Sequence, residues 1–236
     1  MATQALNVGY FIAGDVGSSA QNAHEQASGT VNNTGGAQPS AIQYFQSSGR
    51  GGGTYRYTRT FLNFDTSGIT GTTGAVTLSI PGSTNADTKF TPQDISPSSA
   101  RGSSVSIPGS TNADTNVTAV KSTHTTPILA SGDDFNNIDV NTPYSSATSW
   151  STSTNTITLN ATAIAQIENE NDFDVALLLE DDVNNTASPL EEDGDLSCGV
   201  NFGGTITINY TAAVVTPPYI FFNSGKYKII SGKIKI

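Results

Sequence analysis

Two histidines, one cysteine and twenty carboxylates are the groups in this chain with the reactivity for catalysis or metal binding. His24 and His124 lie far apart in polar, turn-rich sequence, with no second ligand at the short spacings a zinc site uses, so both read as surface residues. Cys198, beside Gly199-Val200-Asn201-Phe202, has no local base to draw off its proton and reads as a small buried hydrophobe. As a lone cysteine it makes no disulfide within the chain. The densest carboxylates are Glu180-Asp-Asp and Glu191-Glu-Asp-Gly-Asp195. Oxygen ligands around a glycine suit calcium, but a calcium loop alternates its acidic residues and these are contiguous. A solvated acidic loop is therefore the reading, with calcium as the alternative. No two carboxylates stand out as an acid–base pair, and no nucleophile elbow, phosphate loop or dinucleotide fingerprint occurs. The expectation is a non-enzyme with no cofactor and no metal. Four aromatics, Tyr55, Tyr57, Tyr144 and Trp150, are of the type that stacks on sugar rings; Trp150, in Ala147-Thr-Ser-Trp-Ser-Thr-Ser153, equally suits a core or rim.

The 236 residues carry a net charge of −10, with only 13% charged and 36% hydrophobic residues. An acidic balance argues against nucleic acid, whose phosphates need a basic surface, and against anionic membranes. Low charge with abundant Ser, Thr, Asn and Gly fits short half-buried strands joined by polar turns better than helix or disorder. The start, Met1-Ala-Thr-Gln-Ala-Leu-Asn-Val8, has neither the basic region nor the apolar run of a signal peptide. The expectation is a cytosolic product, or a chain whose export signal lies elsewhere.

Strand-like runs separated by Gly, Asn, Ser and Pro clusters fall at 6–12, 41–45, 55–65, 75–80, 117–121, 155–159, 173–180 and 205–210. A polar stretch covers 13–38 and a glycine-rich turn 49–53. In 55–65 both faces carry bulky residues, Arg56, Thr58, Thr60, Leu62 and Phe64 against Tyr55, Tyr57, Arg59, Phe61 and Asn63, which suits a strand in the middle of a sheet. One helix is predicted, 161–168, capped by Asn160, with Ile164 and Ile167 on one side. Together these runs predict an all-β, two-sheet antiparallel sandwich over 1–212, with helix below a tenth of the residues.

One ten-residue segment occurs twice: Ser79-Ile-Pro-Gly-Ser-Thr-Asn-Ala-Asp-Thr88 returns as Ser106-Ile-Pro-Gly-Ser-Thr-Asn-Ala-Asp-Thr115. Two copies are too few for a solenoid. The pattern reads as a duplicated surface insert at 81–107, with turn chemistry and one added strand at 105–107, whose excision would leave the body folded.

The C-terminal stretch 213–236 differs from the body. After Pro217-Pro218, two alternating runs around Ser231-Gly232 predict a β-hairpin. No Asp or Glu follows Asp195, so Lys226, Lys228, Lys233 and Lys235 leave the tail at +4, while six cations against twenty acids leave the remainder at −14. Tyr219, Ile220, Phe221, Phe222, Tyr227, Ile229, Ile230, Ile234 and Ile236 are too apolar to stay in water, at about 1.5–3 kcal/mol per fully buried large side chain. Together with the four lysines they are the candidate assembly residues. The arm is expected to pack on a neighbouring subunit, or on its own domain as an edge hairpin.

The segment Arg59-Thr-Phe-Leu-Asn-Phe-Asp-Thr-Ser-Gly-Ile69, followed by Ala75-Val-Thr-Leu-Ser-Ile80, resembles the DNRLRE-type domains, a carbohydrate-binding-module-like jelly-roll group found in marine phage and bacterial sequences. Val120-Lys-Ser-Thr123, Tyr144-Ser-Ser-Ala-Thr-Ser-Trp-Ser151 and Asn155-Thr-Ile-Thr-Leu-Asn-Ala-Thr-Ala163 continue the resemblance in order. It spans roughly 55–210 and departs at the 81–107 repeat and at the acidic 180–195 stretch, where aromatics are usual. The resemblance implies a jelly roll that binds carbohydrate or adheres, a fold recurring in virion proteins. The expected role is a structural component of a phage particle, in head, neck or tail fibre, assembled in the host cytoplasm. Its partners would be copies of itself, other particle proteins and host glycans. The alternative is a subunit of a bacterial extracellular filament or a surface carbohydrate-binding protein.

Overall fold

A computed structural model of the chain describes residues 1–15, 17–33, 35–49, 52–89, 115–124, 135–185, 194–214, 220–223 and 226–229. The first half runs β1 (Ala2–Ala5), β2 (Val8–Gly14), α1 (Ala20–His24), β3 (Gly29–Asn33), β4 (Ala37–Gly49), β5 (Gly52–Asp65) and β6 (Thr77–Lys89). Then follow β7 (Asn116–Ser122), β8 (Ile138–Pro143), β9 (Thr148–Ser149), β10 (Thr154–Thr158), α2 (Ala161–Asn169), β11 (Asp172–Leu179) and α3 (Glu180–Val183). β12 (Gly194–Asn201), β13 (Thr207–Tyr210), β14 (Ile220–Asn223) and β15 (Lys226–Ile229) complete the order. Among the described residues strand accounts for 57% and helix for 11%, so the protein is all-β, with two more helices than the sequence predicts. The surplus is α1 and α3, each little more than one turn and too short to show periodicity.

Every strand pair is antiparallel. Thirteen strands form one pairing path, β1-β13-β6-β12-β4-β5-β11-β7-β8, with β10 on β6, β2 on β5, β3 on β2 and β9 on β7. β4 and β5 are a long hairpin closed from Gln43 opposite Thr58 to Gly49 opposite Gly52, where the glycine run predicts the turn. Further along, β5 is paired at both edges, by β2 through Val8 opposite Asn63 and by β11 through Phe173 opposite Phe64. Both edges are satisfied and both faces covered, so every residue from Tyr57 to Phe64 is buried, as the bulk on each face predicts. Where β4 leaves β5 for β12, the Thr60 hydroxyl donates to Ala41 O at 2.7 Å and bridges the gap.

α2 begins where Asn160 predicts. Its Oδ1 accepts from the backbone N–H of Thr162 and Ala163 at 3.0 and 3.1 Å, and its Nδ2 donates to Pro143 O. Ile167 is fully buried from this helix, while Ile164 packs partly against the core.

The first copy of the repeat overturns the expectation of a surface excursion starting at residue 81. Residues 81–89 belong to β6: Pro81 is opposite Thr154 of β10, and Gly82 to Lys89 pair with β12. Pro81 stands in the gap between the β13 ladder, which ends at Ser79, and the β12 ladder, which begins at Gly82. There a missing N–H does least harm. Gly82 has no room for a side chain, since a Cβ would come within 2.0 Å of Ser151 O. Residues 90–114, with most of the second copy and the added strand at 105–107, lie outside the described residues.

Deleting 81–107 joins Ile80 to the second copy and restores the β6 sequence as far as Thr115 in the place of Thr88. Thr115, however, is already tied elsewhere. Its carbonyl accepts Trp150 N–H at 3.2 Å and the Cys198 thiol at 3.7 Å, beside Asn85, which donates to Trp150 O and sits opposite Cys198. The deletion asks Thr115 to serve two places three residues apart along a strand, roughly 10 Å. The end of β6 or the start of β7 must give way. The variant is expected to melt well below the parent, and equal melting temperatures in a thermal scan would contradict this.

Candidate functional site

The most elaborate polar cluster centres on Arg59, which the alternation of β5 turns into the core between Tyr57 and Phe61. Its guanidinium is fully buried and forms a two-bond fork with Asp182 of α3, Nε to Oδ2 at 2.8 Å and Nη2 to Oδ1 at 2.7 Å. Nη1 donates to Phe135 O at 3.0 Å and to Asn136 Oδ1 at 2.7 Å, and Nη2 to His24 O at 3.2 Å. The Phe135 ring covers the guanidinium face, 4.1 Å from its centroid. His24 closes the cluster: Nε2 donates to Asp182 O at 2.8 Å and lies 3.2 Å from Asp182 Oδ1, with the ring edge-on to Tyr57. All five guanidinium N–H groups find acceptors, while His24 Nδ1 is buried without a hydrogen-bond partner, so the arginine and its carboxylate fasten strands and helices together.

Two expectations change accordingly. His24 is drawn inward by Asp182, and its side chain keeps only 16% exposure. The acidic stretch is not a uniformly solvated loop: Asp182 is buried on Arg59, Glu180 accepts from Asn116 Nδ2 at 3.0 Å, and Asp195 in β12 takes both oxygens to Gln43 Nε2 at 2.9 Å. Residues 186–193 of that stretch lie outside the described residues. Among the described residues no three His, Cys, Asp or Glu side chains gather as a metal site would need.

Ser122, His124 and Asp174 border one crevice together with Tyr10, Phe61 and Asn63. The trio has the chemistry of a nucleophile set, but the crevice measures about 10 Å³, room for one water at most. Ser122 Oγ holds His124 Nδ1 at 2.7 Å across two residues of one chain segment, and His124 stacks edge-on to Phe61. Asp174 accepts from Asn63 Nδ2 at 2.8 Å, and Asn63 in turn from Asn7. Burial lifts the Asp174 carboxyl above its usual range; the Asn63 amide pulls it back, while Asp172 and Glu170 push it up. Cys198 is fully buried as expected, and burial pushes its thiol far from the thiolate.

Of the four aromatics proposed for sugar stacking, Tyr57, Tyr144 and Trp150 are core residues exposed by no more than 2%. Tyr57 packs on Tyr44, Tyr144 stacks on Phe173, and the Trp150 indole donates to Gly199 O at 3.0 Å. Only Tyr55 is partly exposed. Periodicity marks these rings as strand or rim residues but not which face a second layer covers. A polar groove of about 560 Å³ does open beside α2, lined by Lys121, Asp139, Thr142, Gln166 and Glu170, with the Tyr144 hydroxyl bonded to Gln166 Oε1 at its floor. Asp139 is held below the usual carboxylate range by the Thr142 hydroxyl and the Asn141 N–H.

The C-terminal strands pair across a reversal that the sequence reading does not place, and the predicted turn at Ser231-Gly232 lies outside the described residues. Ile220 is opposite Ile229, Phe221 opposite Lys228, Phe222 opposite Tyr227 and Asn223 opposite Lys226, so the turn lies between Asn223 and Lys226. Ser-Gly occurs twice in the tail, and the first occurrence falls in that turn. Among the described residues β14 and β15 pair only with each other. Tyr219, Ile230, Lys233, Ile234, Lys235 and Ile236 lie outside the described residues.

No family model, curated protein or solved structure matches the chain.

Two substitutions test the electrostatics. Asp182→Ala leaves Arg59 buried without its counter-charge and should cost about 3–5 kcal/mol in a denaturant titration; Arg59→Met with Asp182→Leu should lose less than the sum of the single changes. A loss below 1 kcal/mol for Asp182→Ala would mean the pair is solvated. For Asp174 the folded state holds the carboxyl proton more tightly than the unfolded chain does. Stability linked to this group is therefore present at low pH and is lost as pH rises through the folded pKa. Asp174→Asn, which can still accept from Asn63, should raise the melting temperature at pH 7. That gain should shrink toward pH ~4, the unfolded carboxylate range.

Proposed function

We propose that this chain is a non-enzymatic structural or adhesive subunit of a phage particle that assembles through its C-terminal arm. The observation that carries the reading is the β14–β15 pair, a two-stranded sheet apart from the thirteen-strand path. Its register alternates Ile220–Ile229 and Phe222–Tyr227 with pairs containing Lys226 and Lys228. An isolated two-stranded hairpin is marginal in water and needs a surface to lie on. A +4 tail on a −14 remainder favours docking of arm onto body. The Arg59 guanidinium, with every N–H bonded inside the protein, and the water-sized Ser122–His124 crevice favour a scaffold over a catalyst.

The finer architecture belongs to the same proposal. The pairing path folds into two facing layers of a jelly roll, one built on β6 with β10, β13, β1 and β12, the other on β5 with β2, β3, β11, β7 and β8. The β4–β5 hairpin passes between them. Contacts between the two sets support this, with Thr115 before β7 against Cys198 of β12, and Phe202 after β12 within 3.0 Å of a Cβ placed on Gly9 of β2. The DNRLRE-type resemblance fits the same layout and suggests a virion protein assembled in the host cytoplasm among copies of itself and other particle proteins. The polar groove beside α2 favours one alternative, a bacterial filament subunit or surface protein that binds glycans there rather than on aromatic platforms.

Truncation after Thr216 tests the arm. The shortened chain should keep the cooperative melt of the full chain yet sediment as a monomer, where the full chain forms larger species visible by electron microscopy. If the truncated chain assembles as the full chain does, the arm is an edge hairpin of its own domain and the proposal fails.

A further inference from the structure

Five strands of the thirteen-strand path have a single partner among the described residues: β1, β3, β8, β9 and β10. Each therefore has one edge with no strand beside it among the described residues, the place where a further strand could add. The sequences of four of them, Ala2–Ala5, Gly29–Asn33, Thr148–Ser149 and Thr154–Thr158, contain no charged residue. β8 differs. It contains Asp139, and its Ile138 and Val140 are only half-buried. Beside it runs the α2 groove, where Glu170 joins Asp139 on the lining. Asp172 and Asp174 follow in β11; burial raises the Tyr144 phenol first, and Glu170, Asp174 and Asp139 push it further up. Lys121, opposite Asp139 in the β7–β8 register, is the cation on the groove lining. The body thus has one sheet edge that is both partly apolar and acidic.

The arm has the complementary composition: a hairpin of Ile, Phe and Tyr with lysines at 226 and 228, in a tail free of carboxylates. We propose that the outer edge of β8, with the acidic groove beside it, receives the C-terminal hairpin of a second copy of this chain. The inference rests on the arm being the assembly element and adds where it lands. Strand addition would extend the sheet past β8 through backbone hydrogen bonds. Half-buried Ile138 and Val140 offer apolar contact, and Asp139 and Glu170 face the lysines. Charge complementarity selects this edge over the four uncharged ones and makes assembly weaken as salt rises beyond ~0.1 M.

Reversing charge at both ends, in the full-length chain, tests the pairing. Asp139→Lys/Glu170→Lys and, separately, Lys226→Glu/Lys228→Glu should each sediment as monomers under conditions where the parent assembles, with cooperative melts retained. Mixed in equal amounts, the two variants should recover assembly, because each arm then meets a body of opposite charge. The milder pair Asp139→Asn/Glu170→Gln keeps the local hydrogen-bond acceptors, guards against misfolding, and should lower the salt concentration at which assembly is lost. If the Asp139/Glu170 variants assemble like the parent while truncation after Thr216 abolishes assembly, the arm docks elsewhere and this inference falls alone. If the truncated chain also assembles, the arm reading falls with it.

Discussion

A guanidinium at the centre of β5 imposes the strongest single constraint on this molecule. Arg59 lies in a strand paired at both edges and has no contact with solvent, so its charge and all its donors must be answered inside the protein. Asp182 answers the charge, and the carbonyls of His24 and Phe135 and the Asn136 side chain take donors left over by the fork. Four stretches of chain are thereby brought to one point: the end of α1, the middle of β5, residues 135–136 and α3. Buried pairs of this kind add little net stability over well-packed apolar residues, because removing both ions from water is costly. What they penalise is any arrangement that separates the partners. The cluster is best understood as selecting one packing of these elements over others, with Phe135 stacked on the guanidinium to exclude water.

β6 shows a second constraint, in which neighbours override local preference. Pro-Gly followed by Asn-Ala-Asp is turn chemistry, yet the segment is held extended because β10 and β12 flank it and β13 precedes β12 along the same edge. The β12 register shift between Cys198 and Val200 falls where this edge changes partner. An identical sequence at 106–115 ends in Thr115, which is fastened to Trp150 and Cys198 rather than continuing a strand beside β12. Thr88 and Thr115, the same residue of the two copies, therefore stand in different places: Thr88 is opposite Asp195 in β6, and Thr115 precedes β7.

Electrostatics divide the molecule in a third way. Every Asp and Glu belongs to the body, several of them near the meeting of α2, β8 and β11, and Asp65 even sits opposite Asp172 across a strand pair. Like charges directly opposite are unfavourable. The Asp65 carboxylate is compensated locally by the Ser67 hydroxyl and N–H, which hold it below its usual range. A surface that concentrates negative charge beside an open sheet edge discourages indiscriminate edge pairing. Under the proposed docking, a basic hairpin is the kind of partner for which that same surface is attractive.

Much of the framework was legible in the residues themselves. β5, β7, β10 and β11 follow their apolar runs, α2 follows the Asn160 cap, and the β4–β5 turn follows its glycines, because each depends on neighbours two to four residues away. β1, β3, β8 and β12 were not legible: they are polar or glycine-containing and become strands only because another strand offers an unfilled ladder. The tail's composition announced a hairpin around Ser231-Gly232, which lies outside the described residues, while the described pairing joins Ile220–Asn223 to Lys226–Ile229. An arginine inside an apolar strand, a signal left unused in the reading of the sequence above, calls for a buried counter-charge. Its identity could not be read, since Asp182 lies 123 residues from Arg59, and 158 from His24, in a run of carboxylates of equal local character. Local spacing determines which segments extend and which face they bury. Only the closed tertiary structure decides which carboxylate goes inside and which aromatic rings are covered, because those choices depend on desolvation by chain segments remote in sequence.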